Sequence, residues 1–153
     1  MDLHSEVEEL YADYVACLDE GGLERWPEFF TGECLYLIIP RENYERNLPL
    51  ALMRCESKGM LIDRVAAIRQ TNVYGPRRVR HVVSSLRVQT AGAAVAAQAN
   101  FALFETPLDG PTRVFNAGRY VDQLVRVDGR LKFKEKLCVL DGALIQGSLI
   151  YPI

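Results

Sequence analysis

The second half of the chain alternates between apolar and polar residues, and this alternation constrains the fold more than any other feature. Successive side chains of a strand point to opposite faces, so a period of two predicts a sheet with one buried face. One such apolar series is Val95, Ala97, Ala99, Phe101 and Leu103. Asp128-Gly129 separates two further runs of this kind and predicts a tight hairpin. The sequence therefore predicts a meander of about four long strands that begins near Arg78.

The alternation also assigns individual residues to faces of these strands. On the first strand, the alternation predicts that the buried face holds Val82, Leu86 and Val88. It predicts that the polar face holds His81, Arg87 and Gln89. On the last strand it predicts three outward-pointing lysines, namely Lys132, Lys134 and Lys136. Gly118 is predicted to mark a bulge or bend in the strand that precedes the hairpin.

The first half of the chain has helical patterns around one buried strand. Apolar residues recur at three- and four-residue steps from Val7 to Leu18, and Ser5 with Glu8 has the spacing of a capping box. A short helix containing Pro27, the strand CLYLIIP and a second long helix ended by Gly75-Pro76 follow. This order predicts the α+β class, with helices packed on one face of a mostly antiparallel sheet, in a single domain spanning residues 1–153.

Composition excludes several functions. The chain has 153 residues and a formal net charge of −2, so it has no global attraction for nucleic acid. The apolar runs are far shorter than the ~20 residues of a membrane span, and Met1 leads directly into an acidic helix. We therefore expect a cytoplasmic protein without a membrane partner. The four cysteines match no metal-binding spacing and are predicted to be buried free thiols.

The two histidines limit the chemistry further. A mononuclear iron site of two histidines and a carboxylate, a Rieske centre and a phosphate-binding loop all lack their residues in this sequence. One enzymatic interpretation remains, in which Asp13 or Asp19 on the first helix and His81 on the sheet form a base and the group that orients it. The alternative for His81 is a place in a polar or interface network.

A basic segment at the start of the meander has three interpretations. PRRVRH contains Arg77, Arg78, Arg80 and His81 in front of an otherwise ordinary strand. Nucleic-acid binding would need a broader basic surface with exposed aromatic rings. A solvated face and a subunit interface remain, and the interface is favoured because arginine pairs carboxylates and stacks on rings.

The last residues of the chain are apolar. GSLIYPI contains Tyr151 and Ile153, whereas termini are usually polar and frayed. This tail is expected to dock either on its own core or on a neighbouring subunit.

Several short motifs occur in an order and spacing typical of one protein family. They are W-P-x-F-F-x-x-x-C-x-Y from Trp26 to Tyr36, Arg41 with Asn43, D-R-x-x-A-x-R from Asp63 to Arg69, Asn72 with Tyr74, R-x-R-H from Arg78 to His81, and the Asp128-Gly129 hairpin. In these features the chain resembles the small (β) subunit of Rieske non-haem iron aromatic-ring-hydroxylating dioxygenases, and most closely those of salicylate hydroxylase and terephthalate dioxygenase systems.

The resemblance implies a cone-shaped α+β fold shared with nuclear transport factor 2. It implies a large (α) subunit that carries a Rieske 2Fe-2S cluster and a mononuclear iron, with no cofactor in this chain. It also implies an α3β3 hexamer in which the small subunits associate as a trimer and serve mainly a structural role in the degradation of aromatic compounds. The residues expected at subunit interfaces are Arg78, Arg80, His81, Tyr151 and Ile153.

Overall fold

The structure, a computed structural model, describes residues 1–71, 77–142 and 151–153, and for Thr71 the backbone alone. Several positions named above lie outside the described residues, namely Asn72, Tyr74, Gly75-Pro76 and the tail before Tyr151. The helical elements are α1 (Leu3–Asp19), a 3₁₀ helix (Leu23–Phe29), α2 (Arg41–Glu45) and α3 (Lys58–Thr71). The strands are β1 (Phe30–Pro40), β2 (Met53–Cys55), β3 (Arg77–Ala91), β4 (Ala94–Pro107), β5 (Arg113–Val127) and β6 (Arg130–Leu140).

The six strands form one mixed sheet in the order β2-β1-β6-β5-β4-β3. Among these described strands the β1–β6 pair is parallel and the other neighbouring pairs are antiparallel. The β5–β6 turn has positive φ at both Asp128 (51°) and Gly129 (79°), as a two-residue hairpin requires. The predicted class, meander and hairpin are therefore confirmed.

Helix α1 packs on one face of the sheet, which we call the inner face, and the opposite side is the outer face. The core on the inner face is rich in aromatic rings that meet edge to face or stacked. The closest ring pairs are Phe101 with Tyr120 at 4.6 Å, Trp26 with Tyr36 at 5.1 Å and Tyr14 with Phe133 at 5.3 Å between centroids.

The predicted capping box is wrong, because the N-cap lies three positions before Ser5. Helix α1 begins at Leu3, and its N-cap is Asp2, whose carboxylate accepts a hydrogen bond from the Ser5 N–H at 3.0 Å. Asp2 is itself a favoured N-cap residue three positions before Ser5, so the helix starts earlier than the Ser5–Glu8 spacing indicated.

A bulge in β3 reverses part of the predicted alternation. The pairing with β4 shifts between Ser84 and Arg87, and Ser85 has a positive φ of 56°. Before the bulge the odd-numbered side chains point inward, so His81 is buried and Val82 is 51% exposed. The assignment of His81 to the polar face and of Val82 to the buried face was therefore wrong, whereas Leu86 and Val88 pack against the core.

A second bulge changes the last strand. Phe133 pairs with Leu124 but Glu135 pairs with Gln123, so one extra residue lies in β6 between them. Lys136 consequently points inward and is 0% exposed, which corrects the prediction that it faces solvent. Gly118 is not at a bulge, because the irregularity of β5 lies between Val114 and Asn116. A Cβ atom on Gly118 would instead overlap the carbonyl oxygen of Val139.

Candidate functional site

The last residue of α1 and the edge strand β3 meet through Asp19 and His81. The carboxylate of Asp19 accepts from the main-chain N–H of His81 at 3.0 and 3.2 Å and lies 2.5 Å from Nδ1 of its ring. A carboxylate can only accept here, so Nδ1 carries a proton and donates it to Asp19. Nε2 is buried and has no hydrogen-bond partner among the described residues. Two of the three predicted base candidates are thus in direct contact.

Asp13 is not part of this arrangement. Its side chain is exposed on α1 and lines a groove of about 370 Å³ with residues of the 3₁₀ helix and of the β5–β6 hairpin. The His81 side chain, by contrast, is only 1% exposed. The pairing of Asp13 with His81 is therefore absent from this fold.

The centre of the core contains a buried ion pair that the sequence analysis missed. Nζ of Lys136 lies 2.8 Å from Oδ2 of Asp122, and Tyr11 donates its O–H to the same oxygen at 2.5 Å. Both charged side chains are 0% exposed. Burial raises the pKa of Asp122, against the opposing charge of Lys136.

The ammonium of Lys136 is enclosed by aromatic rings. Its Nζ lies 3.6 Å from the centroid of the Tyr120 ring and 4.3 Å from that of Phe133, with Tyr11 and Tyr14 also within 5 Å. One signal could have revealed Asp122, because it shares the inward register of Tyr120 and Leu124 on β5. No comparable signal marked Lys136, since the bulge before it is not encoded by glycine or proline.

The end of the tail is docked in this same core. Ile153 is completely buried, and its carbonyl oxygen accepts from the hydroxyls of Tyr14 (2.9 Å) and Tyr36 (3.0 Å). Its N–H donates to Tyr36 at 2.8 Å. Of the two expected docking places, the described end of the tail takes its own core. A contact of Ile153 with another subunit stays a prediction.

Arg77 and Tyr151 form a second part of the tail attachment. The Arg77 guanidinium lies over the rings of Phe115 (5.1 Å) and Tyr151 (5.3 Å) and pairs with buried Glu105. Arg113 binds the other oxygen of Glu105 at 2.6 Å. Arg77 therefore connects the start of β3 to β4, β5 and the tail, and is a structural residue.

The remaining arginines of β3 point away from the core. Arg78, Arg80 and Arg87 are exposed on the outer face, and none of them has an ion-pair partner within the described ranges. Arg80 on β3 lies opposite Phe104 on β4, and Phe104 lies opposite Val114 on β5. Val114 is 60% exposed. The outer face thus combines guanidinium groups with apolar side chains, which is a composition typical of interfaces.

Two further kinds of site are absent from the described residues. No three side chains of His, Cys, Asp or Glu in residues 1–71, 77–142 and 151–153 are placed to hold a metal ion. Over the same residues, no helix has the length and apolar character to span a membrane.

Comparison with known proteins first defines the class. Residues 1–136 match the SnoaL-like domain, so the chain belongs to the SnoaL-like domain family, with its nuclear transport factor 2-like fold. A crystal structure assigned as the beta subunit of an aromatic-ring-hydroxylating dioxygenase from Novosphingobium aromaticivorans superimposes with a TM-score of 0.88. It is 39% identical and covers 98% of this chain and 96% of that one.

Curated relatives define the group within that class. The anthranilate 1,2-dioxygenase small subunit of Burkholderia cepacia is 36% identical over 97% of this chain and 92% of its own length. The terephthalate 1,2-dioxygenase terminal oxygenase component subunit beta 2 of a Comamonas species is 31% identical over 93% of both chains. The chain belongs to the small subunits of aromatic-ring-hydroxylating dioxygenases.

Proposed function

We propose that this chain is the non-catalytic small subunit that assembles and stabilises the terminal oxygenase of an aromatic-ring hydroxylase. The observation that carries the proposal is similarity over nearly the whole chain to small subunits of such dioxygenases. The partner is a large subunit, and the assembly is an α3β3 hexamer in the cytoplasm that acts in the degradation of aromatic compounds. The Rieske cluster and the mononuclear iron reside in the large subunit.

The packing of the core supports a structural role. The inner face of the sheet is occupied by aromatic rings, by the Lys136–Asp122 pair and by Ile153. Each of these groups holds α1, the sheet or the tail in place, and each is buried. Because these buried groups maintain the fold, we assign the function of the chain to its surface, where it associates with other subunits.

The predicted interface residues have three different roles under this proposal. Arg78 and Arg80 contact a neighbouring subunit directly, because they are exposed and lack partners among the described residues. His81 supports them from beneath, since its ring and N–H are held by Asp19 and fix the edge strand to α1. Tyr151 is partly buried under Arg77 and lies at the margin of the same region.

Reconstitution tests the proposal. The cognate large subunit is expressed with and without this chain, and the yield of soluble large subunit, its iron content and its turnover of aromatic substrate are compared. The proposal predicts that the large subunit loses solubility or activity when this chain is omitted, and that this chain alone has no oxygenase activity. Equal yield and turnover without this chain would contradict an assembly role.

A second candidate function is favoured by one observation, the 2.5 Å contact between Asp19 and Nδ1 of His81. An imidazole oriented in this way can remove a proton next to a carbonyl group through Nε2, as an isomerase or dehydratase requires, once an opening of the fold exposes the buried Nε2 to substrate. The test is exchange of α-protons of cyclohexanone into deuterated water by the chain alone. Exchange that is lost in His81→Ala would support this function, and exchange no faster than in buffer would exclude it.

A further inference from the structure

The outer face of β3 and the exposed side of α1 carry opposite charges. Strand β3 contains four arginines and no acidic residue, whereas α1 contains five acidic residues and no lysine or arginine. These elements are neighbours in the fold, and Asp19 with His81 is the one ion pair between them in the described part of the chain. Two further charges of these elements are paired elsewhere in the described structure, Glu6 of α1 with Arg126 of β5 and Arg77 of β3 with Glu105 of β4.

Several exposed charges on each side have no ion-pair partner among the described residues. On α1 and its C-cap the exposed acidic residues without an ion pair to any described residue are Glu8, Glu9, Asp13 and Glu20. On β3 the corresponding arginines are Arg78, Arg80 and Arg87. If a second copy of the chain brought these two surfaces together, the acidic residues and the arginines would form ion pairs.

The spacing of the two surfaces is compatible with such a contact. Glu9 and Asp13 are four residues apart on a helix, which places them about 6 Å apart along its axis. Arg78 and Arg80 are two residues apart on a strand, or about 6.6 Å. Next along each element come apolar side chains, Ala16 on the helix and Val82 on the strand, and both are exposed. Two charged pairs and one apolar contact can therefore form in the same order.

We infer that small subunits contact one another head to tail, with α1 of one copy lying on the outer face of β3 of the next. This inference rests on the proposed function, which includes a trimer of small subunits. A three-fold ring requires a heterologous contact, in which each copy contributes two different surfaces. The acidic side of α1 and the arginine side of β3 are two such surfaces on a single chain.

Charge reversal tests the inference. Arg78→Glu with Arg80→Glu and, separately, Glu9→Lys with Asp13→Lys are produced with the large subunit, and the complexes are weighed by native mass spectrometry. Each pair is expected to weaken association of small subunits by about tenfold or more, because like charges then face one another. Combining all four substitutions in one chain is expected to restore the trimer and the hexamer.

Mixing the two variants gives a sharper result. In a head-to-tail ring the two kinds of chain must alternate, and three chains cannot alternate, so one contact of any closed trimer would join like charges. The mixture is therefore expected to form open dimers of one chain of each kind and no stable trimers. Arg46→Glu with Arg54→Glu is the matched control, because it changes the charge equally at exposed positions outside β3 and α1, and it should leave the trimer intact.

Three outcomes would overturn the inference while leaving the proposed function in place. Trimers unaffected by either reversal would exclude this contact. Loss of large-subunit binding with an intact small-subunit trimer would assign the arginine face to the large subunit. If the variant with all four substitutions did not form the trimer again, pairing of these two surfaces would be excluded. If the unmodified chain forms no complex with the large subunit, the proposed function itself fails.

Discussion

Lys136 and Asp122 form an ion pair in the centre of the core, with Nζ 2.8 Å from Oδ2 and both side chains 0% exposed. Such a pair is a poor source of stability, but breaking it is costly because one charge remains buried without its partner. We predict that Lys136→Met lowers the free energy of unfolding by about 3–5 kcal/mol. Urea unfolding followed by circular dichroism measures this change.

The control for that prediction replaces both partners. Lys136→Met combined with Asp122→Leu removes both charges and should recover most of the loss, since apolar groups of similar volume can replace a buried pair at little cost. If the double variant were as unstable as the single one, packing rather than charge would be the cause.

Stability should fall steeply in alkali. Burial raises the pKa of Tyr11, Tyr14, Tyr36 and Tyr120 above the ordinary value of 10.0, and it raises the pKa of Cys138 to about 12. The folded state therefore keeps protons that the unfolded chain releases between the ordinary and the raised values. In that window stability decreases as pH rises, by about 1.4 kcal/mol per pH unit for each group.

Tyr120→Phe tests this pH dependence with little disturbance. The Tyr120 hydroxyl is buried without a hydrogen-bond partner in the described structure, so its removal should leave stability at neutral pH equal or increase it by about 1 kcal/mol. In alkali, the free energy of unfolding of this variant should fall less steeply with pH, by about 1.4 kcal/mol per pH unit, which is the contribution of one proton. An unchanged slope, measured by unfolding at a series of pH values, would show that Tyr120 does not contribute.

The Asp19–His81 contact is predicted to hold the edge of the sheet. Asp19→Ala leaves the His81 N–H and Nδ1–H without their acceptor and should cost about 2–3 kcal/mol of unfolding free energy. Asp13→Ala, an exposed acidic residue of the same helix, should change stability by less than about 0.5 kcal/mol. Thermal and urea unfolding compare the two variants, and equal effects would contradict a specific role for Asp19.

Ile153 is predicted to be a core residue despite its place in the tail. Ile153→Ala should destabilise the chain by about 2–5 kcal/mol, because it leaves a cavity beneath Tyr14 and Tyr36. Ile62→Ala on α3 is the control, since Ile62 is 53% exposed and its truncation should have a small effect. A negligible effect of Ile153→Ala on urea unfolding would mean that the tail is not docked in solution.

Much of the fold followed from uninterrupted local patterns. The series from Val95 to Leu103 and the Asp128-Gly129 turn were predicted correctly because neither contains an extra residue that changes the face of the strand. His81 and Lys136 were assigned to the wrong face because one bulged residue on each strand reverses the alternation. Neither bulge contains a glycine or proline that would indicate it in the sequence.

Long-range contacts set the limit of prediction for the candidate site. Asp19 was one of two acidic candidates for His81, and the choice between Asp19 and Asp13 depended on how α1 lies against β3. The apolar tail indicated docking but not its target, and the hydroxyls that bind Ile153 come from α1 and β1, more than 100 positions away. Such contacts depend on the tertiary fold rather than on local sequence.

The most direct test of the central claim is native mass spectrometry of this chain with its cognate large subunit, together with metal analysis of the separated chains. We predict a stable complex of three large and three small subunits with iron only in the large chain. A small chain that remains monomeric or dimeric beside the large subunit, or that carries iron itself, would contradict it.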